Sequence, residues 1–173
     1  MAIIKELRGV KPVVGEGTFV AENASLIGEV EIGKDCSIWY GAVLRGDVGA
    51  IRMGNYSNVQ DNAILHATYG ESECIIGDYV SIGHGANVHG CVIGNDVIIG
   101  MGAIVMDNTI VPDGTIIAAE QWFRQIRNSN PASMQVSLQR KSRTVLMQSE
   151  LRHTIMPHTT LNTKHGTKIN GAD

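Results

Sequence analysis

Little in this 173-residue chain suits it to a disulfide-stapled fold, a membrane or a nucleic acid. Its three cysteines, Cys36, Cys74 and Cys91, are odd in number and lack CxxC spacing. That pattern argues against a disulfide framework and fits a reducing compartment. No apolar run approaches the ~20 residues a transmembrane helix needs. The opening Met1-Ala-Ile-Ile-Lys-Glu-Leu carries charges where the apolar core of a secretory signal would run, so a cytoplasmic location is expected. Basic clusters are missing too. With 14 Lys and Arg against 17 Asp and Glu the net charge is −3, and neither nucleic acid nor an anionic membrane is expected as a partner. Aromatic residues make up only 5% of the chain, with two Phe and two Trp. What replaces bulky rings is glycine, 20 residues of it, together with aliphatics. This balance suits a narrow interior with many tight corners rather than a helical bundle.

The aliphatics recur every six positions. Ile76-Gly77, Ile82-Gly83 and Val88-His89 are followed, after a five-residue step, by Ile93-Gly94, Ile99-Gly100 and Val105-Met106. Upstream, Ile32-Gly33, Ile38-Trp39 and Leu44-Arg45 form one triplet, and Met53-Gly54, Val59-Gln60 and Leu65-His66 another. A six-residue period is neither helical nor a long alternating strand. It is the signature of a parallel β-helix, in which three hexads make a triangular coil of roughly eighteen residues. Two excursions, Gly46–Ala50 and Ala67–Glu73, leave from the third corner of their coils. Loops on one corner of a rigid solenoid commonly carry function.

After Ile117 the hexads fade. The expected organisation is a β-helix over residues 1–119, a connector and α-helix over 120–151, and a polar tail over 152–173. The helix is read over about 132–151, with Pro131 in its first turn and a stripe of Val136, Leu138, Val145, Leu146 and Leu151. The fold class is thus all-β with a C-terminal α-helix. His153, His158 and His165 fall in the tail and read as solvated.

The repeat fixes where the other histidines point. Arg45, His66 and His89 each follow the third inward aliphatic of successive coils, so they stack along one edge, roughly 5 Å apart per coil. The second hexads place Trp39, Gln60 and Gly83 on another edge, with His84 one step beyond. His84 therefore cannot join His66 and His89 within one prism. Three prisms packed about a threefold axis would bring His84 of one chain to His66 and His89 of its neighbour, a closed head-to-tail contact. Three imidazoles with a fourth position open form the ligand set of a catalytic zinc site.

These residues resemble the γ-class carbonic anhydrases. The resemblance runs through Ile38-Trp39, Val43-Leu44-Arg45-Gly46-Asp47-Val48, Asn58-Val59-Gln60-Asp61-Asn62-Ala63-Ile64-Leu65-His66, Gly83-His84-Gly85-Ala86-Asn87-Val88-His89-Gly90-Cys91 and Ile99-Gly100-Met101-Gly102. It covers about residues 12–106. It implies a left-handed β-helix, a homotrimer, and a metal ligated by His66, His84 and His89 at each interface. Zn2+ is expected, with Fe2+ or Co2+ in the same ligand set as alternatives. It further implies that Gln60 and Asn58 orient water and bicarbonate, that Arg45 and Asp61 pair across the interface, and that Asp47 lies beside the site. A guanidinium next to the histidines would also favour anionic bicarbonate.

The chain departs from the family in two places. Asp47 is followed by Val48, and the loop after His66 is the short Ala-Thr-Tyr-Gly-Glu-Ser-Glu, so Glu71 and Glu73 are the loop acids left to pass a proton. The closing Gly-x-Pro-Ala-Lys-like segment is replaced by Ala119-Glu120-Gln121-Trp122-Phe123-Arg124-Gln125-Ile126-Arg127. The expected activity is reversible hydration of carbon dioxide by a metal-activated hydroxide, with slow turnover. Two alternatives remain. One is a non-catalytic metal-binding scaffold trimer. The other is a CoA-dependent hexapeptide acyltransferase, which would need only one histidine as base.

Overall fold

The structure, a computed structural model, describes residues 1–124. They form a left-handed parallel β-helix of about seven turns. Each coil contributes one short strand to each of three faces. The first face stacks Val13–Val14, the end of Ser25–Ile32, the end of Val43–Met53, Cys74–Ile76, Val92–Ile93 and Ile110–Val111. The second stacks Phe19–Val20, Ser37–Ile38, Asn58–Val59, Ser81–Ile82, Ile98–Ile99 and Ile116–Ile117. The third begins with Ile3–Lys5 and continues through the starts of the two long strands to Ile64–His66, Asn87–His89, Ile104–Val105 and Trp122–Phe123. Ser25–Ile32 and Val43–Met53 bend through the third corner and serve two faces each. The first and third faces are therefore a single eleven-stranded sheet.

Hexad arithmetic explains the core. Leu26, Leu44, Leu65, Val88 and Val105 line the third face inward; Ile32, Met53, Ile76 and Ile93 line the first; Ile38, Val59, Ile82 and Ile99 line the second. All are buried, each burial contributing on the order of 1.5–3 kcal/mol. Ala24, Ala42, Ala63, Ala86 and Ala103 repeat, fully buried, at the corner preceding the third face. The three cysteines are free and buried in this core.

Of the two excursions, Gly46–Ala50 stays within its strand as a bulge. Gly28 pairs with Gly46 and Val30 with Ile51, so one residue on the lower strand opposes four on the upper. Gly46 is required there: a Cβ would meet the Glu29 carbonyl oxygen at 2.1 Å. The solenoid also continues past the expected boundary at 119. Phe123 lies six residues after Ile117 and fills the next inward position, and Trp122–Phe123 pairs with Ile104–Val105. The helix expected at 132–151 and the tail at 152–173 lie outside the described residues.

Candidate metal centre

The corner between the third and first faces carries the histidine pair. His66 and His89 are register partners in adjacent parallel strands, following Leu65 and Val88, which point inward. With the aliphatics buried, the next side chain on each strand must emerge at the corner. The rings sit edge to face, 5.1 Å between centroids, with Nδ1 of His66 3.1 Å from Nε2 of His89. Their side chains are 17% and 33% exposed, sheltered but open on one side.

Each outer ring nitrogen is engaged by a carboxylate. Asp47 Oδ1 lies 2.9 Å from His66 Nε2, and Asp107 Oδ2 lies 2.9 Å from His89 Nδ1. Burial pushes both carboxyls up, but hydrogen bonds outweigh it and hold both below the usual carboxylate range. For Asp47 the donors are His66 and Arg45; for Asp107 they are Ser72 and His89. Both acids are therefore anions that accept, so His66 Nε2 and His89 Nδ1 carry the protons. The inner nitrogens, Nδ1 of His66 and Nε2 of His89, then face each other at 3.1 Å, close enough to share either a proton or a bound cation. Two nitrogens bound at 2.0–2.1 Å to one tetrahedral zinc are separated by roughly 3.3 Å. The donor set fits a divalent metal as one half of a site, and the carboxylates supply the outer hydrogen bonds such ligands use.

Arg45 occupies the same edge one coil below and bonds Asp47 Oδ2 through its guanidinium. Arg8, at the tip of the Leu7–Val10 turn, donates to the Asp47 backbone carbonyl at 3.1 Å and clips the bulge from below. Glu71 and Glu73 are exposed on the loop that follows His66.

His84 stands on the opposite edge of the third face, at the corner that follows Ser81–Ile82. Its Nδ1 lies 2.8 Å from Asp61 Oδ2, and it is 54% exposed. Among the described residues, no three His, Cys, Asp or Glu side chains of one chain converge on a metal-sized site. Asp61 and Gln60 share this second edge. The Gln60 amide donates to Asn58 Oδ1 at 3.3 Å, and the Ser81 hydroxyl donates to the same oxygen at 3.1 Å. Within the chain, then, Arg45 pairs with Asp47 and Asp61 with His84. The sequence-derived residues divide into two clusters: Arg45, Asp47, His66 and His89 on one edge, Asn58, Gln60, Asp61 and His84 on the other.

Three residues of the first cluster escaped sequence reasoning. Asp107 follows Val105 by two, not one, so counting the residue after each inward aliphatic passes over it. Ser72 and Arg8 lie in segments without a repeat, where nothing in the sequence signals their position.

Comparisons with known proteins agree with this architecture. Residues 11–46 match the family model for bacterial transferase hexapeptide (six repeats). The chain is 40% identical over 119 residues to gamma carbonic anhydrase 2, mitochondrial, of Arabidopsis thaliana, covering 66% of this chain and 43% of that protein. It is 46% identical over 93 residues to a probable carbonic anhydrase of Methanocaldococcus jannaschii, covering 54% and 58%. The chain thus spans about half the length of the curated relatives it matches. Among solved structures, a hexapeptide transferase family protein from Anaplasma phagocytophilum superposes with a TM-score of 0.65 at 42% identity, covering 70% of this chain and 71% of that one. By its repeats, its coil-by-coil fold and these relatives, the chain belongs to the hexapeptide-repeat proteins, and within them it is similar to the γ-class carbonic anhydrases.

Proposed function

We propose that the protein catalyses reversible hydration of carbon dioxide at metal sites completed between the chains of a homotrimer. The observation that carries this is the split of the histidines. His66 and His89 present facing nitrogens 3.1 Å apart on one edge of the third face, and His84 stands exposed on the other. A neighbour whose His84 comes level with His66 and His89 brings its Asp61, one coil lower, level with Arg45. Head-to-tail closure of this kind turns the third face toward the axis, where Ile64, Ile104 and Trp122 are exposed and apolar.

In such a site His66 and His89 of one chain and His84 of the next would hold Zn2+, or Fe2+ or Co2+. The bound metal supplies Lewis acidity that brings the pKa of water toward neutrality. Gln60 and Asn58, on the edge that carries His84, are placed to orient water and bicarbonate. The Gln60 amide nitrogen is spent on Asn58, which leaves its oxygen free to accept. Arg45, with its charge partly met by Asp47, draws bicarbonate to the cleft. Glu71 and Glu73 are exposed loop carboxylates rather than a built relay, so proton departure limits turnover and the activity is low.

Metal content and stopped-flow carbon dioxide hydration, on the wild type and His84→Ala, test this. About one metal per chain with turnover, both lost in the variant, supports it; no bound metal overturns it. Metal without turnover leaves a non-catalytic scaffold. The likeness to a hexapeptide transferase family protein favours a second reading, acyl transfer from CoA with one carboxylate-paired histidine as base. That reading requires CoA-dependent acylation that survives metal removal.

A further inference from the structure

The loop that leaves the solenoid after His66 does not end in solvent. Its Ser72 hydroxyl accepts from the Thr68 backbone N–H at 3.0 Å and donates to Asp107 Oδ1 at 2.6 Å. Asp107 belongs to the coil above His89, and its second oxygen takes the His89 Nδ1 proton at 2.9 Å. The loop therefore spans the coil of His89 and braces the carboxylate that bonds to it. Gly90 makes this bridge fit. At φ +52 its missing Cβ leaves open a point 2.1 Å from both Asp107 Oδ1 and Ser72 Oγ, so any larger residue would push the bridge apart.

An imidazole at a corner can flip about χ2 and exchange its nitrogens, and its neutral form can protonate either one. A carboxylate fixed on Nδ1 removes both freedoms: the proton stays on Nδ1 and the Nε2 lone pair faces the shared edge. We infer that Asp107, braced by Ser72 from the loop, is the positioning residue that holds His89 in its ligating orientation and tautomer, an inference that rests on the metal site proposed above. Asp107 itself touches neither metal nor substrate in this role.

The test uses the full-length protein as wild type, Asp107→Asn, Ser72→Ala and Ser72→Thr. Imidazole 15N chemical shifts of the metal-free proteins report the His89 tautomer, chelator competition reports Zn2+ affinity, and thermal melts report the fold. The wild type is expected to show a single Nδ1–H tautomer at His89. Asp107→Asn should lose it and bind Zn2+ about 10- to 100-fold more weakly, the usual cost of removing an outer partner. Ser72→Ala should shift both in the same direction by less, and Ser72→Thr, which keeps the hydroxyl, should restore them. A general loss of structure would move all histidine signals and the melting temperature; a positioning role moves His89 alone. Should Asp107→Asn not fold, the Ser72 pair decides. Equal tautomer and equal affinity in the wild type, Asp107→Asn and Ser72→Ala overturn the inference while leaving the metal site intact. A wild type that binds no Zn2+, with a tautomer that still depends on Asp107, upholds the positioning and removes the metal site instead.

Discussion

Nδ1 of His66 and Nε2 of His89 stand 3.1 Å apart on adjacent coils, while the opposite nitrogen of each ring is committed to a carboxylate, Asp47 or Asp107. A pair so arranged turns one nitrogen from each ring toward a common point, where the two can share a proton or, as proposed, a metal ion. Two acids on the outside do as much to define it as the two imidazoles on the inside.

Because the third histidine belongs to another edge, inactive chains should complement one another. His66→Ala and His84→Ala are each expected to bind almost no metal. Co-expressed in equal amounts and mixed at random in trimers, about a quarter of their interfaces join an intact His84 to an intact His66. Metal content near a quarter of wild type is the expected result. A mixture that stays empty would show that the three histidines never meet across an interface.

Arg45 and Asp61 should be coupled only in the assembly. Arg45→Asp and Asp61→Arg are each expected to weaken trimers in analytical ultracentrifugation, and the double exchange to recover most of the loss. The coupling should be about 0.2–1 kcal/mol, as for solvent-accessible ion pairs, and should fall with added salt. Independent, additive effects of the two exchanges would separate these residues.

Neighbouring positions on one strand should respond in opposite ways. Leu65 is 0% exposed and packs between Leu44 and Val88, whereas Ile64 is 42% exposed on the third face. Leu65→Ala is expected to cost about 2–5 kcal/mol in denaturant unfolding. Ile64→Ser should change chain stability by about 0.5 kcal/mol or less while shifting the oligomer toward monomer. Equal destabilisation by both would contradict the inward and outward assignment.

The buried thiols set an alkaline limit. Burial pushes the Cys36 thiol up, and the neighbouring Cys74 sulfur together with burial pushes Cys91 well above its ordinary value. A raised folded-state value favours the neutral thiol. The resulting stability is complete below the unfolded thiol pKa of about 8.5 and fades as pH climbs through the raised values. Native protein at pH 8 should therefore resist iodoacetamide at all three cysteines and react fully in urea. Stability should decline above about pH 9, as followed by thermal melts. Rapid native labelling of Cys91 would contradict this placement.

Much of the molecule can be read from one rule. Once Leu44, Leu65 and Val88 point inward, the edge shared by Arg45, His66 and His89 follows, and so does the exile of His84 to the other edge. The rule carries no information where the period breaks. Arg8 and Ser72 act from turns and loops whose paths depend on tertiary contacts. Asp107 stands two positions past its aliphatic, inside the corner, where the hexad pattern constrains nothing. The last coil was hidden for a different reason: Phe123 takes an inward position that every earlier coil fills with an aliphatic, so it does not resemble a repeat.

The separation of His66 from His89 is inherited from the amide ladder that joins Asn87 to Ile64 and Val88 to Leu65. Side-chain mutation cannot stretch that ladder, since its rungs are main-chain bonds at the fixed pitch of a parallel sheet. The solenoid thus works as a graduated scale on which ligands are whole notches, never fractions. Relocating the pair would take only an exchange of which corner residue, Arg45 or Met106, is histidine. Changing the gap itself would require a different fold.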